Sequence, residues 1–214
     1  MVAGLDRVRA KLKSMKQLFA LMCLLAIVTG CGRNEAAPVT HANTDTIRTV
    51  VDSILPVAEE IRRFKQSRGG IAAAHLTNGA ASRDELVQMF ITAVEKNDSA
   101  TLAAIAMNAG EFIDLYYPTS QFARPPYKQS PELRWFLLSE NSSKGVNRLV
   151  QRFGGKPTGF QSYSCNQEPV VEGANRIWDR CAVTWGHDPR TIRLFSTIIE
   201  RGGHFKIMSY ANGL

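Results

Sequence analysis

Few side chains in this sequence have the types and spacing that chemistry needs. Cys23, Cys31, Cys165 and Cys181 are thiols that can be acylated, oxidised or made to hold a metal. Cys165 and Cys181 lack a second Cys or His at ligand spacing, so no metal site is assigned. Asp114 and Asp179 can serve as bases and Tyr116, Tyr117 or Tyr210 as hydrogen-bond donors, provided that they reach one substrate; the same side chains also read as surface carboxylates and packed phenols. Tyr116, Tyr117, Trp135 and Tyr210 are the aromatic candidates for a pocket, against the alternative of core or loop packing. His187-Asp188-Pro189 reads as a turn, and His204, alternating with Lys206 after Gly202-Gly203, as the solvent face of a hairpin. The chain has no Gly-rich phosphate loop, no Gly-x-Ser-x-Gly elbow and no His-Glu-x-x-His, so no catalytic residue and no cofactor is assigned.

Near the N-terminus, Lys11, Lys13 and Lys16 precede the apolar run Leu18–Val28, which closes on Val28-Thr29-Gly30-Cys31. The run is too short for a membrane span but suits a secretory signal. With its terminal cysteine, it resembles a bacterial lipoprotein signal peptide with its lipobox. That resemblance implies removal of residues 1–30, acylation of Cys31 and a location in the cell envelope. Gly32 in place of Asp implies sorting to the outer membrane, facing the periplasm, where a cell has two membranes. Met15 is an alternative start, because Met15-Lys16-Gln17 opens a complete signal by itself.

The formal charge of +7 falls to +3 once residues 1–30, with five basic residues and one acid, are set aside. No clustered basic stripe remains, which argues against a nucleic-acid surface. With Cys23 removed and Cys31 acylated, Cys165 and Cys181 remain as a disulfide pair on neighbouring strands, or as two buried thiols.

Residues 32–44 are small, polar and aperiodic, a tether spanning 31–44 with its cysteine. Over 45–65, Ile47, Val50, Val51, Ile54, Ala58 and Ile61 recur at helical spacing, with Pro56 expected to kink or divide the helix. Its apolar stripe packs on the domain or meets a partner or membrane. Residues 66–82 read as an exposed loop and 83–214 as the compact domain. Ser82-Arg83-Asp84-Glu85 has capping-box spacing ahead of a helix over 83–96, and Asp98 caps a second over 99–108. An irregular or hairpin-like stretch follows over 111–128. Ser130-Pro131 opens a buried apolar run through Leu138, and a further helix covers 143–153. Strands are expected over 158–165, 176–185, 191–200 and 204–210. Alternation in the third places apolar residues on both faces, so the sheet should be covered on both sides.

The fold expected is therefore α+β, with N-terminal helices packed on a C-terminal four-stranded antiparallel sheet. Its element order over 83–212 is similar to the NTF2-like cone. Leu115-Tyr116-Tyr117-Pro118, Trp135-Phe136 and Ser209-Tyr210-Ala211-Asn212 also resemble segments of uncharacterised bacterial envelope proteins. These resemblances imply a lipid-anchored binding or interaction module whose partners are the membrane, through the anchor, and an unknown protein or small molecule. The alternatives are an NTF2-like enzyme acting on a small envelope molecule, or a structural lipoprotein.

Overall fold

The computed structural model describes residues 55–186 and 191–211, so the expectations for Cys23, Cys31, the signal, the tether, residues 45–54 and the His187 turn lie outside the described residues. Helices come first: α1 (Val57–Gln66), α2 (Arg83–Glu95), α3 (Ser99–Ala104), the single turn α4 (Ala109–Glu111) and α5 (Pro131–Phe153). Seven strands follow, β1 (Phe160–Ser164), β2 (Val170–Glu172), β3 (Asn175–Trp178), β4 (Ala182–Trp185), β5 (Thr191–Ile192), β6 (Phe195–Arg201) and β7 (His204–Tyr210). They form two antiparallel sheets, β1-β4-β5 and β2-β3-β6-β7.

The expected single sheet of four strands is thus corrected to two sheets. The stretch expected as one strand over 176–185 divides at Asp179–Cys181, where Arg180 takes a positive φ of 51° and the chain passes from one sheet to the other. The 191–200 stretch divides at Arg193–Leu194 for the same reason. Strands that change sheet need a bend at the corner. Between β6 and β7, Gly202 and Gly203 take φ of 60° and 79°, the left-handed pair that a tight hairpin demands.

The four-stranded sheet separates two cores. Trp178, Ile198 and Ile207 pack on one face with Phe90, Leu102 and Leu149, whereas Ile177, Ile199 and Met208 pack on the other with Phe64, Phe112 and Tyr117. Both faces are covered, as the alternation implied. Irregular register between Phe195 and Ile198 shifts the phase of β6, which is how Phe195 and Ile198 share a core three residues apart.

α5 serves both cores, with Leu138 in one and Leu149 in the other. It is one helix of 23 residues, where a run through Leu138 and a separate helix over 143–153 were expected. Ser130 caps it, accepting from the Leu133 N–H at 3.3 Å, and Pro131 occupies its first turn. Neither Gly nor Pro interrupts 139–144, so packing at both ends carries the helix through this polar middle. Its first turns are not buried as expected: Leu133, Phe136 and Leu137 are 48%, 58% and 40% exposed.

Residues before Ser82 share the core. Pro56 stands immediately before α1, whose Phe64 is buried. Leu76 and Ala80, expected in an exposed loop, are also buried, and Ala80 pairs with Phe205 on the outer edge of β7. The boundary expected at Ser82 therefore does not separate two hydrophobic cores. α3 ends at Ala104 rather than at 108 because the next backbone is used elsewhere: Met107 N–H donates to the Ile207 carbonyl at 2.9 Å and Ile207 N–H to the Ile105 carbonyl at 3.0 Å. Asn108 starts α4 through a reciprocal cap with Glu111, and helical turns, not a hairpin, continue over Phe112–Tyr116, Tyr117–Thr119 and Gln121–Ala123.

Candidate functional site

The side chains nominated for chemistry are used mainly to hold the fold. Asp114 accepts from Lys65 Nζ at 2.9 and 3.2 Å and from the Ala73 N–H at 2.9 Å, tying α1 and the strap after it to the helical turns at 112–116. Asp179 lies at the corner between the sheets, hydrogen-bonded by the Asn166 side-chain amide. Cys165 and Cys181 are joined as a disulfide. They follow β1 and precede β4, in register with the Ser164–Ala182 pair.

Three of the four pocket candidates are packed phenols. Tyr116 and Tyr117 belong to the core containing Phe112, whereas Tyr210 lies in the other core beyond the sheet, so the four do not form one pocket. Tyr117 donates to the Gln129 carbonyl at 2.7 Å and Tyr210 to the Leu102 carbonyl at 2.8 Å. Burial pushes the phenols of Tyr116, Tyr117 and Tyr210 above the ordinary tyrosine range, with Glu172 beside Tyr116 and Glu60 beside Tyr117 adding to it. Among the described residues, no three His, Cys, Asp or Glu side chains converge as a metal site would require.

The His204–Lys206 alternation also misleads at its second residue. His204 is exposed, but Lys206 is fully buried, its ammonium 2.8 and 3.1 Å from the Glu111 carboxylate, which is itself fully buried. Glu111 further accepts from the Thr77 N–H at 2.7 Å, the Thr77 hydroxyl at 3.0 Å and the Asn108 N–H at 3.0 Å. Desolvation lowers the Lys206 pKa, and Glu111 opposes that shift. The strap closes over this pair at Gly79, where a Cβ would come within 2.5 Å of the Phe205 carbonyl oxygen.

Trp135 alone of the four aromatics lines an open surface. It stands at a groove of about 380 Å³ between residues 103–109 and α5, with its ring 5.4 Å from that of Phe112 beneath. Ser139, Ser142, Ser143 and Asn147, at helical spacing along α5, supply hydroxyls and an amide, while Met107 and Val146 supply apolar wall. None of the twelve lining residues is charged, in a chain where 21% are. The short Ala and Ser side chains leave the groove open. This row of small polar residues was not legible in the sequence, where 139–142 falls outside the expected helices, and neither was its opposite wall, where 105–107 is expected in a helix rather than on the β7 edge.

Comparison with known proteins finds no matching family model, no similar curated protein and no similar solved structure. Among the described residues, no helix is long and apolar enough to cross a membrane.

Proposed function

We propose that this chain is a lipid-anchored binding protein of the bacterial cell envelope, held by an acylated Cys31, whose ligand site is the groove beside Trp135. The observation that carries the reading is the groove's wholly uncharged lining, with an indole and apolar wall next to a row of hydroxyl and amide groups. Such a surface suits a neutral amphipathic ligand such as a short saccharide. The sugar's C–H face would rest on the indole while its hydroxyls exchange hydrogen bonds with Ser142, Ser143 and Asn147. The interior on both sides of the four-stranded sheet is occupied by side chains, which favours the outer groove over the sheet face as the binding surface. We also read the fold as a variant of the NTF2-like cone, a reading supported by helices that precede the strands of two antiparallel sheets in the chain.

The test is titration with an N-acetylglucosamine trimer, followed by amide shifts. Shifts should localise to 103–109 and 135–147, and Ser142→Phe, which fills the groove, should weaken binding about tenfold, or about 1.4 kcal/mol. Shifts elsewhere, or none, would reject the assignment. Mass spectrometry of the mature N-terminus tests the anchor separately: an unmodified Cys31 rejects it.

A further inference from the structure

The large hydrophobic side chains left in solvent are not scattered. Of the six among the described residues, Tyr127, Leu133, Phe136 and Leu137 fall within eleven consecutive positions, the last three on one stripe of α5. Tyr127 is 60% exposed. Beside it, Lys128 Nζ donates to the Leu55 carbonyl at 3.0 Å, and Leu55 is where the N-terminal chain enters the described structure. The covalent path from Cys31 therefore arrives beside Lys128, five residues ahead of Leu133 in the chain. Twenty-three residues lie between Cys31 and Leu55.

We propose that the face of α5 bearing Leu133, Phe136 and Leu137, with Tyr127 at its margin, lies on the lipid bilayer surface. This rests on the anchored reading given above and adds the orientation of the domain to it. Near the stripe in sequence, Arg124, Lys128 and Arg134 stand against Glu132, Glu140 and Glu60, with Glu60 paired to Lys128 and Glu140 to Lys144. The Arg134 guanidinium sits 3.8 Å from the centre of the Phe122 ring. An apolar helix stripe that includes an exposed aromatic suits the boundary between headgroups and acyl chains, and the balanced charges beside it do not oppose that contact. A second copy is the competing occupant, since roughly 450 Å² of apolar side chain is about the non-polar share of an ~800 Å² interface, and the experiment separates the two.

The experiment uses the mature chain carrying Cys31→Ser, mixed with vesicles of phosphatidylethanolamine and phosphatidylglycerol and separated by sedimentation. The unlipidated chain should partition onto the vesicles, and Phe136→Ser with Leu137→Ser should lower the partition coefficient at least tenfold without moving the thermal melt. Brominated acyl chains should quench a fluorophore placed at residue 133 but not one at residue 156. Equal partitioning of the double variant, no partitioning of the parent, or a dimer dissolved by the same substitutions would each overturn the proposal. If vesicle binding holds while Cys31 proves unmodified, the face stands and the anchor alone falls.

Discussion

Glu111 and Lys206 carry opposite charges out of contact with water, and they lose unequally when parted. Lys206→Met leaves Glu111 with three remaining donors, from Thr77 and Asn108. Glu111→Leu leaves a buried ammonium without its carboxylate and strips those donors as well. We expect Glu111→Leu to cost about 3–5 kcal/mol and Lys206→Met less, measured by urea unfolding. The pH dependence has a definite sign. Because burial lowers the Lys206 pKa in the folded state, the unfolded chain holds more protons between that value and about 10.4, so this residue adds stability as pH rises through the window. Lys206→Met should remove that alkaline gain. The tyrosines act oppositely at higher pH. Burial, then the hydrogen bond to Asp84, raises Tyr163 to about 12, and Tyr116, Tyr117 and Tyr210 are raised too. Their stabilising contribution is complete below about pH 10 and declines above it. Phenolate absorbance from these four should therefore rise together with unfolding, rather than as independent titrations near pH 10; independent titration of folded protein would refute the burial.

At the scale of elements, α5 is the part that most needs its sequence. Gly145 lies where the helix crosses the end of β7, and a Cβ there would come within 2.7 Å of both the Ala211 carbonyl oxygen and Tyr210 Cβ. Alanine is the better helix former, yet Gly145→Ala should destabilise by about 1–3 kcal/mol, because backbone must move to admit the methyl group. The neighbouring Ser143→Ala is the control and should change the melt little. Ser82 shows the opposite case, an effect readable without a structure. Its hydroxyl accepts from the Glu85 N–H at 3.1 Å, as the capping-box spacing indicates, and Ser82→Ala should cost about 1 kcal/mol. Such local signals placed α2, the start of α5 and the β6–β7 turn correctly. What local signals miss is competition from distant backbone. Residues 105–107 have a helical face, but hydrogen bonds to Ile207 take them instead, and nothing within the 176–185 stretch announces that its two ends belong to different sheets. The exposed start of α5 was misread for a related reason, since apolar content indicates burial only when enough neighbouring surface exists to cover it.

Considered whole, the domain depends on residues that precede its strongest helix signal. Phe64 and Leu76 fill the core on one side of the sheet, while Lys65 and Thr77 bind Asp114 and Glu111. A chain beginning at Ala81 would expose that core and leave Lys206 open to water at the strap. It should give no cooperative melt, whereas one beginning at Asp52 should melt as the full chain does; a cooperative transition in the shorter chain would show that the strap is dispensable. The cysteine pairing was legible from the count and from strand adjacency, although β1 and β4 are neighbours across an intervening hairpin rather than consecutive strands. Reduction of the disulfide should lower stability by about 3 kcal/mol, followed by thermal unfolding with and without reductant. The bridge has another result, for persistence rather than folding. It makes a covalent ring of the stretch that contains β2 and β3, with Gln167 and Glu168 exposed on it. A protease that cuts within that ring releases nothing: the two fragments remain one molecule, separable on a denaturing gel only after reduction, and a nicked copy keeps both halves of its sheets within reach of each other.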